Sequence, residues 1–356
     1  MGGVLWLIYH MPERKLFNPV PKGGFMFRKI VVFVTMSLFL GLSVVADVSA
    51  KQILKIGIGD PLESEMGAIS TRFKQIIEQR TDGKYEIQIF PSCQLGDETE
   101  MIQNVRRGNL DMAVVGIANT VPFVKKLGIL TLPYLYRDIF DVVRGTSGAA
   151  HEMMNNFAIK EGGFRILGWT YTDYRYLTNS KHPITKIADV ADLKFRVPQS
   201  AVLLESYRSW GANPVPISWA ETFTALQQGV VDGQCYGYIT FQAAKFNEVQ
   251  KYISEVHYTY QLQPMMISER VYKKLSPEMQ KMVVEAGQAA QEYCLAFQLV
   301  KGEQVKQELI ASGIQIDKLE DEDVWREKAV STVWPKMYDF VGGKALVDKF
   351  RYYIGQ

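Results

Sequence analysis

The sequence predicts an α/β protein of two lobes, and three observations carry that prediction. From residue 51 onward short apolar runs alternate with segments of helical periodicity, the alternation restarts near residue 171, and the stretch after Ser276 is strongly helical in pattern. At 356 residues the chain is long enough for two lobes of roughly 100 to 200 residues each. No low-complexity linker separates the halves, so the lobes are expected to be joined by continuous crossing strands rather than a flexible tether.

The elements follow in order. "ILKIGIG" (53–59), "YEIQIF" (85–90) and "LDMAVVG" (110–116) are short apolar runs and read as strands, with "MGAISTRFKQIIEQRT" (66–81) and "ETEMIQNVRRG" (98–108) as the helices between them. "GFRILGWTYTDYRYLTNS" (163–180) reads as one long extended segment. Strands "LKFRVP" (193–198), "NPVPIS" (213–218) and "VDGQCYGYI" (231–239) then enclose helices "AVLLESYRSWG" (201–211) and "WAETFTALQQG" (219–229). The segment 276–313 opens with a Ser276 cap and Pro277 at the first helical position. It places Met282, Val283, Ala286, Ala290, Tyr293, Phe297 and Val300 on one packing face.

The N-terminus has the layout of an export signal: Arg28 and Lys29, an apolar run from Ile30 to Val45, then the small residues of "VADVSA". The run is about 16 residues, short of the roughly 20 needed to span a bilayer. Residues 26–50 are therefore expected to be a signal peptide cleaved after Ala50, with Ala46 as the alternative and a lone uncleaved anchor as the competing reading. Residues 1–25 are expected to be an upstream extension, with Met26 as the initiator.

Composition excludes several function classes. A formal net charge of +2, with 40 basic residues scattered along the chain, gives no nucleic-acid footprint. Cys93, Cys235 and Cys294 lie far apart, which predicts no disulfide framework, and with only four histidines no metal-ligand spacing appears. "GIGDPL" (57–62) fails as a dinucleotide loop, because Leu62 holds the third glycine position and Pro61 lacks an N–H. Glu98 and Glu100 stand two apart on a helix and do not face each other as an acid–base pair. No catalytic constellation remains, so the chain is read as a binder of a small molecule and not an enzyme.

Six segments, in order, resemble the periplasmic solute-binding proteins of tripartite ATP-independent (TRAP) transporters, of the C4-dicarboxylate-binding (DctP) type. They are "FPSCQLGDETEMIQNVRRGNLDM" (90–112), "LTLPYLYRD" (130–138), "LTNSKHPI" (177–184), "DLKFRVPQS" (192–200), "WGANPVPISWAETFTALQQGVVDGQ" (210–234) and "EVQKYI" (248–253). The resemblance implies a two-lobed periplasmic-binding-protein architecture with hinge-crossing strands near residues 171 and 261. Lobe I would comprise 51–171 plus about 262–275 and lobe II 172–261. A C-terminal helical region, 276–356, with a long helix spanning both lobes, would complete it. It further implies a monomer in the periplasm with no cofactor. Such a protein delivers an organic acid to TRAP permease membrane subunits driven by an ion gradient.

The resemblance also nominates the site. Arg196 occupies the place of the family's signature arginine; its planar, permanently charged fork matches a carboxylate bidentately, and Pro198 stiffens the strand's exit. Arg175 matches a second ligand-contacting arginine, although Asp173 and Tyr174 before it depart from the family pattern and Asp173 is a candidate to pair with an arginine. Glu98 matches an acidic cleft position, with helix capping as its alternative role. After "VVDGQ" the family commonly has Glu-Asn-Pro, whereas this chain has Cys235, Tyr236 and Gly237, so Tyr236 replaces a carboxylate-holding amide. With Trp219, Tyr174 and Tyr238 nearby in sequence, this exchange argues for a bulky or aromatic, indole-type monocarboxylate. A C4-dicarboxylate or sugar acid is the alternative within the family, and a ligand-sensing subunit of a membrane receptor is the alternative outside it.

Overall fold

The computed structural model describes residues 51–356. The expected signal segment, its cleavage positions, and residues 1–25 with Met26 lie outside the described residues. Two sheets form the frame. The first has the order β2-β1-β3-β10-β4, from strands β1 (Gln52–Ile58), β2 (Tyr85–Phe90), β3 (Met112–Val114), β4 (Phe164–Tyr174) and β10 (Tyr260–Ser268). In it β1 runs parallel to β2 and β3, and β10 runs antiparallel to β3 and β4. The second has the order β11-β9-β5-β8-β6-β7, from β5 (Tyr176–Asn179), β6 (Lys194–Val197), β7 (Asn213–Pro216), β8 (Gly233–Tyr236), β9 (Tyr252–Glu255) and β11 (Gln315–Lys318).

The long extended segment of the sequence is the first crossing: β4 ends in one sheet at Tyr174 and β5 begins in the other at Tyr176. The return crossing leads from β9 to β10 through residues 256–259. Arg175 N–H donates to Thr259 O at 3.0 Å and ties the two crossings together. Just before it Asp173 adopts φ 116°, a left-handed value that a non-glycine residue holds only under constraint. Its carboxylate supplies the constraint by accepting from Tyr174 N at 2.8 Å and Tyr176 Oη at 2.9 Å. Asp173 is thus occupied locally and does not pair with an arginine.

The helix Pro277–Ala311 spans both lobes, capped as expected by Ser276, whose hydroxyl accepts from Met279 N at 3.2 Å. Met279, Val283, Ala286, Ala290 and Cys294 pack in the core of the first sheet, and Val305 and Leu309 in that of the second. The helix lies close against β4, where a Cβ on Gly168 would stand 2.5 Å from Gly287 O, so neither glycine admits a side chain. Part of the expected packing face is corrected: Tyr293 and Val300 are 46% and 75% exposed. Ala286, Tyr293 and Val300 stand seven apart, and a straight helix drifts about 20° per seven residues, so a strict heptad stripe leaves the buried face.

Two further boundaries differ from expectation. The strand expected to reach Ile239 ends at Tyr236, and Tyr238–Ala243 is a helix starting after Gly237. The C-terminal region is not wholly helical. Gly313, at φ 94°, ends the long helix, and β11 then joins the second sheet parallel to β9. Among the described residues no helix is long and apolar enough to cross a membrane.

Candidate ligand-binding cleft

Where the lobes meet, polar side chains from both sheets converge in a buried interior. β6 carries Arg196 and the β4–β5 crossing carries Arg175, each 2% exposed. Arg196 Nε donates to Ile217 O at 2.9 Å, which aims the guanidinium over the Trp219 ring, 5.5 Å from its centroid. Among the described residues its guanidinium makes no other hydrogen bond. Arg175 is held more fully, donating from Nε to Cys235 Sγ at 3.2 Å, from Nη2 to Cys235 O at 3.1 Å, and from Nη1 to Gln261 Oε1. Neither arginine forms an ion pair with a carboxylate among the described residues. Burial, and then the charge of Arg175, hold Arg196 below its ordinary pKa, at about 10. A buried cation in this condition is stabilised by any anion that reaches it.

Three buried carboxyl groups from the first lobe face the same interior. Asp60, just past the end of β1, accepts from Tyr236 Oη at 3.1 Å, Gln263 Nε2 at 3.1 Å and Thr240 Oγ1 at 3.2 Å. Burial raises its pKa to about 6, against these hydrogen bonds and Arg175, which lower it. Glu98 accepts from Gly116 N at 2.9 Å and from Asn119 Nδ2, and burial followed by the charge of Asp60 raises it to about 8. Glu98 does not cap its helix. Asp97 does, accepting from Thr99 N at 3.3 Å while Glu100 closes the capping box, so Glu98 is left to turn inward. Gly59 makes room for it, because a Cβ there would lie 2.6 Å from Glu98 Oε1. Glu65 is the third carboxyl and bonds with Thr240.

The expected site residues divide into two groups. Arg196, Arg175, Glu98, Tyr236 and Trp219 are brought to this interior. Tyr236 is closed in: its ring packs 4.9 Å from Trp219 and under the Arg175 guanidinium, and its hydroxyl is engaged by Asp60 and by Gln263 at 2.8 Å. Tyr174 and Tyr238 belong to a neighbouring cluster at the crossings. Tyr174 meets His257 edge-on at 4.8 Å, and Tyr238 donates to Glu255 Oε1 at 2.6 Å while packing on Tyr176. Sequence reasoning missed Asp60, Glu65, Gln261 and Gln263. Asp60 left one signal, an acid at the carboxyl end of a parallel strand, where ligands of α/β sheets gather. The described residues hold no group of three or more His, Cys, Asp or Glu able to hold a metal ion. The surface groove among Arg106, Arg107, Lys160 and Arg270 contains none of the interior residues named above.

Two lobes, crossing strands and a buried polar interior with an unpaired guanidinium define a solute-binding protein of the two-lobed periplasmic class. Residues 59–339 match the family described as bacterial extracellular solute-binding protein, family 7 (DctP), and the chain belongs to it. It is 31% identical over 263 residues to the 2,3-diketo-L-gulonate-binding periplasmic protein YiaO of Escherichia coli, covering 73% of this chain and 80% of that one. It is 32% identical over 260 residues to the sialic acid-binding periplasmic protein SiaP of Vibrio cholerae, covering 70% and 79%. Among solved structures, a TRAP periplasmic solute-binding protein from Polaromonas bound to D-erythronate superposes with a TM-score of 0.81 at 31% identity, covering 85% of this chain and 98% of the other. The family is one of solute-binding transport components, and its members here bind organic acids.

Proposed function

We propose that this chain captures a hydroxylated organic acid of the sugar-acid type, its carboxylate on Arg196, and delivers it in the periplasm to a TRAP permease. The observation that carries the reading is Arg196 itself: fully buried, aimed by Ile217, and without a carboxylate partner among the described residues. A carboxylate supplied by the ligand fits that guanidinium bidentately. Asp60 and Glu98 accept hydrogen bonds and so suit hydroxyl groups, and the relatives that bind 2,3-diketo-L-gulonate, sialic acid and D-erythronate are polyhydroxy or oxo acids. Arg175 and Trp219 complete the pocket, Arg175 as a second positive charge and Trp219 as its apolar wall.

The aromatic, indole-type acid expected from the Tyr236 exchange has less support. The Tyr236 ring is covered by Trp219 and Arg175, so the exchange fills space between the lobes rather than offering a free stacking face. Lobe boundaries near residues 171 and 261, a monomer, and export by the 26–50 signal are parts of the same proposal. A thermal-shift panel tests it. D-erythronate, D-galactonate or 2,3-diketo-L-gulonate should raise Tm more than succinate, malate or indole-3-acetate, and stabilisation by indole-3-acetate alone would reverse the order. Uptake into vesicles carrying the permease distinguishes a transport subunit from a receptor-docked sensor.

A further inference from the structure

We propose that closing the two lobes places one proton on Glu65, making Glu65 and Thr240 a protonated latch between them. The inference rests on the two-lobed solute-binding reading above and goes beyond it, because Glu65 has no part in holding the acid. Glu65 is the first residue of the helix Glu65–Arg80 in the first lobe, is 0% exposed, and reaches Thr240 of the helix Tyr238–Ala243 in the second lobe.

The hydrogen count points to the proton. Thr240 Oγ1 lies 2.8 Å from Glu65 Oε2 and 3.2 Å from Asp60 Oδ2, yet a hydroxyl has a single hydrogen to donate. Both contacts are good hydrogen bonds when Glu65 carries a proton, donates to Thr240, and Thr240 donates onward to Asp60. Asp60 is the better anion of the two, since Tyr236 and Gln263 also donate to it. Glu65 Oε1 is buried without a partner, a cost that is heavy for a carboxylate and lighter for a neutral carboxyl.

The surroundings agree. After burial and its own backbone N–H, the strongest influences on Glu65 are Thr240, Asp60 and Asp173, and its charge is felt in turn by Tyr236, Tyr260 and Cys294; none of these is a cation. Arg175 acts on Asp60. The helix N-terminus and Glu65's own backbone N–H favour the anion, but burial outweighs them and raises its pKa to about 8. In the open form, with water admitted, the ordinary glutamate value of about 4.3 returns. Closing therefore takes up a proton between those two values. The closed form is favoured at low pH and lost as pH rises toward 8, the closed-to-open ratio changing by about tenfold per pH unit. Asp60 and Glu98 shift the same way, so the Glu65 share is isolated by replacing it.

The test uses ligand-free protein, so its failure is separate from failure of the organic-acid reading. Donor and acceptor dyes on Lys84→Cys and Gln228→Cys report lobe separation by energy transfer from pH 5.5 to 9. The closed fraction should rise as pH falls, and Glu65→Gln, a neutral isostere, should be more closed at pH 8 with a flatter profile. Thr240→Val, which removes the acceptor, should lose closure at low pH and serves if the Gln variant does not fold. A wild-type ratio constant across the range, an unchanged slope in Glu65→Gln, or wild-type closure at low pH in Thr240→Val overturns the latch.

Discussion

Trp219 of the second lobe donates its indole N–H to the backbone carbonyl of Gly59 in the first, at 3.1 Å. The same indole lies beside the Arg196 guanidinium and packs against Tyr236, so one side chain touches the proposed anion site and the opposite lobe together. Ala220 N–H, one residue on, donates to Asp97 Oδ1 at 3.3 Å. The start of a single helix thus contacts both the Arg196 guanidinium and the opposite lobe.

Trp219→Phe keeps the apolar contact with Tyr236 and removes the donor. Gly59 O is then left with only the Cys93 thiol, at 3.6 Å, and losing a hydrogen bond of this kind costs about 0.5 to 1.5 kcal/mol, so affinity for the bound acid should fall roughly two- to tenfold. Isothermal calorimetry reads the change, and Tm without ligand should move little.

Arg196→Ala should weaken binding at least about a hundredfold, because removing one partner of a buried charge pair costs about 3 to 5 kcal/mol. Arg196→Lys should also lose affinity clearly, since an ammonium cannot reproduce the two-donor fork. Calorimetry with the acid that gives the largest thermal shift checks both.

Gly59→Ala inserts a methyl group 2.6 Å from Glu98 Oε1 and must displace that carboxyl from Gly116 and Asn119. The variant should fold with a lowered Tm and bind the acid more weakly. Wild-type affinity would mean that the position of Glu98 does not matter.

His257 at the return crossing contacts Glu322 through its ring, with Nδ1 3.0 Å from Glu322 Oε2. The hydrogen bond to Glu322 raises the His257 pKa against burial. Burial raises Glu322, but the His257 bonds outweigh it and lower its pKa overall. The histidine's share of stability is complete below its unfolded pKa of about 6.5 and fades as pH rises through its raised value. The glutamate's share is complete above about 4.3 and fades as pH falls through its lowered value. Glu322→Gln should therefore lower Tm most between about pH 5 and 6.5 and progressively less as pH rises through the raised His257 value.

The architecture was readable from the sequence because its signals are local. "GFRILGWTYTDYRYLTNS" had to be one extended run, and Ser276-Pro277 had to open a helix, whatever packed around them. The site was readable only in part. Arg196 stood out through its "RVP" setting, but Asp60 sat in a segment weighed only as a nucleotide loop, and Glu65 fell just outside the helix read over 66–81 and belonged to no motif. Their character comes from residues far along the chain: Thr240 and Tyr236 reach across from the second lobe, and Gln263 comes from β10 of the first sheet. The same is true of Tyr236: sequence gave it a free ring, and the fold spends that ring between Trp219 and Arg175.

The most direct test of the account is a crystal structure of the protein with the acid that stabilises it most. The account predicts the acid's carboxylate within hydrogen-bonding distance of the Arg196 terminal nitrogens, with the lobes closed and Trp219 on Gly59. A bound acid whose carboxylate lies elsewhere, with Arg196 left unpaired, would contradict it.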